Sequence, residues 1–176
     1  PSRTVVRFPD LYLMLSREYR YNGGADVTVL RHLALCVRLS EWASRHEAGV
    51  SRTDFLVRLA YVAGHDLHEA YMGDMNTGLK QLCPDYRAIE DAWEAYVHRQ
   101  IGLPWPPTPE IASYVKGIDM RALLVECSAS AHPALFAVEE TEGVASPEEM
   151  LCYSNLPCDD SDLWQIVRHA LTAWRE

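Results

Sequence analysis

Apolar residues recur every three or four positions along most of this chain, and that spacing limits the possible folds more than any other feature. The pattern is clearest over residues 27–46, 85–101, 110–131 and 161–174. Residues three and four apart share one face of an α-helix, whereas no segment has the strict alternation of a half-buried strand. The sequence therefore predicts an all-α bundle of about six or seven helices.

Residues that begin or end helices divide the chain further. Paired glycines end a first short helix predicted over residues 9–19, and Ser51 is expected to cap the next-but-one helix. Gly73 is expected to end a short helix by the usual glycine C-cap. The prolines in residues 104–109 exclude a continuous helix and predict a stiff connector. Residues 133–158 are predicted to form a loop-rich excursion with one short acidic helix.

One sizeable core is expected from 176 residues, of which 48% are hydrophobic. We therefore expect a single domain over residues 1–176. The formal net charge of −9 argues against a nucleic acid polymer as partner, because such binding depends on clustered lysine and arginine. A small anionic substrate needs only a few local cations, so the charge does not exclude one.

The five cysteines, at positions 36, 83, 127, 152 and 158, form no Cys-x-x-Cys pair. Their odd number and mostly apolar surroundings predict reduced thiols, and argue against a disulfide framework or a zinc finger. The sequence has neither a signal peptide nor a run of eighteen apolar residues. We therefore expect a cytoplasmic protein that does not enter a membrane.

Two polar residues interrupt the apolar faces of long predicted helices. His32 has apolar neighbours at i−3, i+3 and i+4, and Asp119 has apolar neighbours four residues away on both sides. An unpaired carboxylate at such a position is costly to bury. The adjacent His65 and Asp66 follow a third predicted helix. Two imidazoles and two carboxylates suit a borderline divalent ion such as Zn, Mn, Fe, Co or Ni, so these four residues are the candidate ligands.

Each candidate ligand also has a simpler interpretation. A single histidine on an apolar face is more often a hydrogen-bonded core residue, and an adjacent His-Asp pair is common by chance. Glu69 would share the face of His65 if a helix begins at His65, because the two are four residues apart. On the same assumption His68 is rotated away from that face, so we predict that it lies on the surface.

The stretch from His65 to Lys80 resembles the pattern HD-x-x-E-x-x-x-x-D-x-x-x-x-x-K of the HD-domain metal-dependent phosphohydrolases, in the branch of bacterial 5'-deoxynucleotidases. Residues 20–23, Arg-Tyr-Asn-Gly, resemble that branch's arginine-aromatic pair ahead of the first histidine. Residues 114–119 resemble its distal lysine and aspartate. Within the branch, the size and the Arg-Tyr-Asn-Gly segment most resemble the dATP triphosphohydrolases of phages whose DNA carries 2-aminoadenine. Residues 76–78 depart from the family, whose members often carry proline there.

The resemblance implies a role for each matching residue. A divalent ion of the Zn, Co or Mn type would be held by His32, His65, Asp66 and Asp119. Glu69 would be the catalytic acid or base, with Asp74 its helper or a ligand of a second metal. Three cations would neutralise phosphates, and an aromatic ring would pack on the sugar where a 2'-hydroxyl would clash. The implied substrate-binding residues are Arg20, Tyr21, Asn22, Gly78, Lys80 and Lys116.

The function that the resemblance implies is hydrolysis of dATP to deoxyadenosine and triphosphate, which would shape the deoxynucleotide pool during phage infection in the bacterial cytoplasm. Three cations exceed what a monophosphate needs, which favours a triphosphate. Two alternatives remain open: a 5'-deoxynucleotidase acting on deoxynucleoside monophosphates, and a non-catalytic HD-fold protein that binds nucleotides. We also expect a homo-oligomer.

Overall fold

The computed structural model describes residues 5–24, 26–75, 77–130 and 143–175, and it confirms the all-α prediction. Seven of the helices in those ranges have eight residues or more. A 3₁₀ turn covers Tyr21–Gly23, and an isolated bridge between Tyr19 and Thr28 is the only β-type pairing in the described residues. The helices are α1 Phe8–Leu15, α2 Val29–His46, α3 Arg52–Gly64, α4 Glu69–Met72, α5 Thr77–Leu82, α6 Pro84–Gln100, α7 Pro109–Ala129, α8 Pro147–Ser154 and α9 Asp160–Ala173.

Helix α2 lies at the centre of the bundle. It packs against α3, α7 and α9, and α9 also packs along α3. The apolar stripes predicted for these helices meet in one core, because each stripe must be removed from water by a neighbouring helix. The largest fully buried apolar side chains include Leu30, Leu33, Leu35, Leu39, Leu163 and Leu171.

Capping residues set several helix ends as the sequence predicts. Ser51 accepts a hydrogen bond from the amide of Asp54 at the start of α3, and Ser146 with Glu149 forms a capping box at α8. Gly73 ends α4 with a φ of +79°, a backbone conformation that favours glycine. The connector after α6 contains no helix, as the prolines predict.

Three details differ from the sequence prediction. The first helix ends at Leu15 and does not reach residue 19, and α5 was not predicted because its six residues are too few for a periodic pattern. Ile89, an apolar residue of the periodic segment 85–101, is 53% exposed although that segment predicts a buried apolar face. Part of the predicted excursion, residues 133–142, lies outside the described residues. None of the described helices is long and apolar enough to cross a membrane.

The end of α3 is the point that positions the candidate site. After Gly64 the chain leaves the α-helix, and residues 65–68 form turns with hydrogen bonds from Leu67 N to Gly64 O and from Glu69 N to Asp66 O. A Cβ atom at Gly64 would lie 3.3 Å from Leu103 Cδ1. Glycine therefore lets the connector after α6 approach the end of α3 closely.

We predict that Leu171→Ala destabilises the fold by about 2–5 kcal/mol, the range for deleting a buried leucine side chain without repacking. Leu171 on α9 is 1% exposed in the core. The measurement is urea unfolding followed by circular dichroism. Leu151→Ala is the control, because Leu151 is 58% exposed, and its effect is expected within about 0.5 kcal/mol. Equal losses for the two variants would contradict the core assignment.

Candidate metal centre

The four side chains predicted as metal ligands converge, although they come from three separate segments. His32 Nε2 on α2 lies 3.4 Å from Asp119 Oδ1 on α7 and 3.7 Å from Asp66 Oδ2. His65 Nε2, in the turn after α3, lies 3.3 Å from Asp66 Oδ2 and 4.0 Å from Asp119 Oδ1. The structure therefore brings all four residues into one cluster, and their role as ligands remains a prediction.

Both imidazoles are held with one nitrogen turned toward the cluster. His32 Nδ1 donates to Glu126 Oε1 at 2.8 Å, and His65 Nδ1 donates to Val62 O at 2.7 Å. A neutral ring that donates from Nδ1 carries its lone pair on Nε2, which is the arrangement found in metal-binding histidines. His65 Nε2 is buried and has no hydrogen-bond partner in the described part of the chain. This donor set fits a divalent cation.

Cys36 lies close to the imidazoles of His32 and His65. Its Sγ lies 3.4 Å from His32 Nε2, and the ligand atoms of His32, Cys36 and His65 all lie within 4.8 Å of one another. These residues form a His/Cys group that can hold a metal ion. The sequence prediction counted Cys36 as part of the apolar stripe. Its position one helical turn after His32 is the signal that could have identified it.

The charges of the cluster stabilise one another. Burial alone would lower the pKa of His65, but the negative charge of Asp66, whose Oδ2 lies 3.3 Å from Nε2, outweighs burial and raises the pKa to about 9. Burial would likewise raise the pKa of Asp119, but His32 and His65 bring it below the usual range. A positive charge between the carboxylates of Asp66 and Asp119 is therefore favoured. The protons of the imidazolium rings can provide that charge, and a divalent cation can provide it in their place.

Glu69 is a buried carboxyl group beside the cluster. It is 4% exposed, its Oε2 has no hydrogen-bond partner in the described residues, and its Oε1 lies 3.9 Å from Lys80 Nζ. Burial, then the charges of Asp66 and Asp74, raise its pKa well above the ordinary value. A carboxyl group whose protonated form is favoured in this way is suited to proton transfer.

Asp74 holds the segment that carries Tyr21. Its Oδ2 accepts from the amide of Tyr21 at 3.0 Å, and its own amide donates to Glu18 Oε1 at 3.0 Å. Tyr21 has a φ of +59°, which is strained for a bulky residue and costs about 1–3 kcal/mol. The bond to Asp74 helps to hold that strained turn, and the catalytic role of Asp74 stays a prediction.

Glu126 is a candidate site residue that the sequence prediction missed. It is fully buried on α7, where it accepts from His32 Nδ1 and, at 2.7 Å, from Tyr21 Oη. Arg20 Nε lies 3.6 Å from its Oε2, and Arg20 Nη1 donates to Asp66 Oδ2 at 3.3 Å. Glu126 follows Asp119 by seven residues, so the two share a helix face. That spacing is the sequence signal.

A cleft of about 350 Å³ opens beside the cluster. Its lining includes His65, Asp66 and Asp119 of the cluster. It also includes an aromatic group: the rings of His98 and Trp105 have centroids 4.7 Å apart, and the rings of Tyr61 and His98 are stacked at 6.0 Å. Burial lowers the pKa of His98 to about 4, so this ring is neutral. The lining of the cleft thus combines charged side chains with an uncharged aromatic group.

His68 lies in the wall of this cleft and is 5% exposed, so the prediction of a surface position was wrong. That prediction assumed a continuous helix from His65, whereas residues 65–68 form turns. His68 Nδ1 donates to His65 O at 3.1 Å, and its Nε2 lies 3.6 Å from Glu90 Oε1.

The three predicted phosphate-binding cations all have acidic partners, which corrects the argument from surplus cations. Arg20 pairs with Asp66, as described above. Lys80 Nζ lies 2.6 Å from Glu90 Oε1, and Lys116 Nζ, on a side chain 65% exposed, lies 3.4 Å from Asp119 Oδ2. Of the other predicted substrate residues, Gly78 is exposed on α5, and the side chain of Asn22 lies outside the described residues.

Comparison with known proteins leaves the family open. No family model matches the chain. Over 119 residues the chain is 29% identical to "Uncharacterized protein YfdR" of Escherichia coli (strain K12). The matched region covers 66% of this chain and 57% of that protein. The chain thus spans a little over half of that relative's length, and the name of that relative assigns no activity.

We predict that Glu126→Gln weakens binding of Zn²⁺ about 10–100-fold, the usual cost of removing the carboxylate that orients a metal-binding histidine. The substitution keeps the shape but removes the charge that accepts from His32 Nδ1. Competition with a chelating dye measures the affinity. Glu149→Gln is the matched control, because Glu149 is also 1% exposed but pairs with Arg121 away from the cluster. Unchanged affinity in Glu126→Gln would contradict the orienting role.

Proposed function

We propose that this protein is a metal-dependent phosphohydrolase of deoxynucleotides, of the HD-domain type, and that its substrate is dATP, cleaved to deoxyadenosine and triphosphate. The observation that carries the proposal is the convergence of His32, His65, Asp66 and Asp119, with the buried Glu69 beside them. A binding module has no need for a buried carboxyl group next to a metal-binding cluster.

The residues of the cluster also fit the cation that such chemistry needs. Bound by His32, His65, Asp66 and Asp119, a divalent ion would neutralise phosphate charge and lower the pKa of a water molecule. The remaining steps belong to the side chains around it. Arg20 holds Asp66 in place through its bond to Oδ2, and Glu126 holds His32.

Glu69 is the proton-transfer group in this proposal. Water attacks the α-phosphorus, the bond from phosphorus to the 5'-oxygen breaks, and the leaving 5'-oxygen takes a proton. Burial and neighbouring negative charge favour the protonated form of Glu69, so it can donate that proton. It regains one from the attacking water, which balances the reaction.

The charged and the aromatic side chains of the cleft match the two parts of a nucleotide. Its volume of about 350 Å³ lies within the usual range for small-ligand sites. Trp105, half-buried and backed by the ring of His98, offers an uncharged aromatic surface to a base, while Lys116, beside Asp119, is exposed enough to turn toward a phosphate. Tyr21, partly exposed and anchored through Glu126, is the residue proposed to exclude a 2'-hydroxyl.

A second candidate function is a 5'-deoxynucleotidase acting on monophosphates. The pairing of Arg20, Lys80 and Lys116 with carboxylates favours it, because paired cations leave less positive charge for a long phosphate chain. The triphosphate proposal therefore needs bound cations to offset the charge of the phosphates. Product analysis separates the two candidates directly.

The first prediction of this proposal is that dATP yields deoxyadenosine and triphosphate in the presence of Zn²⁺, Co²⁺ or Mn²⁺. The protein is incubated with dATP, dGTP, ATP and dAMP, and the products are separated by ion-exchange chromatography. Asp66→Ala, which removes a candidate ligand, is the inactive control. Release of dADP or dAMP from dATP would exclude attack at the α-phosphorus, and faster phosphate release from dAMP would favour the nucleotidase. Equal turnover of ATP would remove the role given to Tyr21.

The second prediction concerns Glu69. Glu69→Gln is expected to lower kcat by about 10²–10⁴, the range for loss of a positioned proton-transfer group, while metal content stays unchanged because Glu69 is not a proposed ligand. Steady-state kinetics and elemental analysis measure the two quantities. Glu149→Gln is again the matched variant of a buried glutamate, with kcat expected near that of the unsubstituted protein. Normal turnover by Glu69→Gln would reject the assignment.

A further inference from the structure

We propose that Cys36 is a sulfur ligand of the metal centre, and that the centre therefore takes a thiolate-binding ion, Zn²⁺ or Co²⁺, in preference to Mg²⁺ or Mn²⁺. The inference rests on the proposed metal centre and adds to it the identity of the ion. On binding, the thiol proton leaves for solvent and a bond forms between Sγ and the metal, with no change of oxidation state.

The first support is distance. Donor atoms about 2.0–2.3 Å from one tetrahedral ion lie roughly 3.3–3.8 Å from each other. Cys36 Sγ lies 3.4 Å from His32 Nε2, close to the 3.4 Å that separates the same nitrogen from Asp119 Oδ1. The sulfur is thus as close to His32 Nε2 as the carboxylate oxygen of Asp119, which is already proposed as a ligand.

The second support is the position of the imidazole nitrogens of His32 and His65 relative to the sulfur of Cys36. His65 Nε2 is buried without a hydrogen-bond partner in the described residues, and its ligand atom lies within 4.8 Å of those of His32 and Cys36. A core cysteine normally behaves as a small apolar residue. Here Cys36 is fully buried, but its sulfur contacts an imidazole nitrogen. A cysteine that served only as an apolar side chain would not need this contact.

The third support is the helix geometry that fixes both residues. His32 and Cys36 lie one turn apart on α2 and both side chains are fully buried, so they share one face without any loop movement. Glu126 fixes the ring of His32 from the opposite side. A two-residue chelate on a rigid, central helix is therefore already formed before an ion arrives.

The consequence is selectivity. Thiolate is a soft ligand that favours Zn²⁺ and related ions, whereas Mg²⁺ and Mn²⁺ prefer oxygen ligands. A tetrahedral ion takes four ligands, so binding of Cys36 with His32 and His65 leaves room for one of the two carboxylates, Asp66 or Asp119, and the proposed ligand set changes by that one residue. The second carboxylate is then left to hold water or to exchange with substrate.

The test is titration of the metal-free full chain with Co²⁺, followed by absorption spectroscopy. A cobalt–thiolate bond gives an intense charge-transfer band in the near ultraviolet, while bound Co²⁺ of any ligand set gives weaker visible bands. We expect both for the unsubstituted protein. Cys36→Ser should lose the ultraviolet band, keep visible bands from the remaining ligands, and lose much of the preference for Zn²⁺ over Mn²⁺ in a competition assay. Cys152→Ser, a control from another helix, should behave like the unsubstituted protein.

The outcomes separate this inference from the proposed function. Visible bands without the ultraviolet band in the unsubstituted protein would overturn the role of Cys36 and leave the metal centre standing. Absence of any cobalt spectrum would overturn the metal centre and Cys36 with it. Persistence of the ultraviolet band in Cys36→Ser would assign it to a different thiol. The spectrum of the unsubstituted protein decides the question even if Cys36→Ser does not fold.

Discussion

The fully buried carboxylate of Glu126 is the interaction on which the geometry of the site depends. A charge removed from water must be paired and hydrogen-bonded or the fold is destabilised, and Glu126 meets that need through His32, Tyr21 and Arg20. These partners lie on α2 and on the segment before it. The same contacts therefore fix α7 against α2, orient the ring of His32 and hold Arg20 next to Asp66.

Much of the fold could be predicted from the sequence because the helices are long and their apolar faces are buried against one another. Periodicity identified α2, α6, α7 and α9, and caps such as Ser51 set ends within a residue or two. Short elements could not be predicted in the same way. Residues 65–68 form turns just after Gly64, where the end of α3 lies against the connector after α6, and such tertiary contacts leave no periodic signal.

The candidate site was predicted where a polar residue stood out from its surroundings. His32 and Asp119 interrupt apolar stripes, and the structure brings them together with His65 and Asp66. Cys36 could not be recognised by the same test, because a cysteine in an apolar stripe does not stand out. Glu126 lies near the end of a helix, where a glutamate is usually exposed, and only packing against α2 reveals that it is buried.

The acidity of the cleft sets the order in which ligands are expected to bind. Asp66, Glu90, Glu94 and Asp119 line it against two lysines, Lys80 and Lys116, and burial raises the pKa of Glu94 to about 7 without removing the excess of acidic groups. A nucleotide, the proposed substrate, would bring further negative charge and would be repelled until a cation is bound. Binding free energies are reciprocal. Under the proposed function, a cation that allows the nucleotide to bind would therefore itself be held more tightly by the nucleotide, and the ion would be as much a part of substrate recognition as any side chain of this acidic cleft.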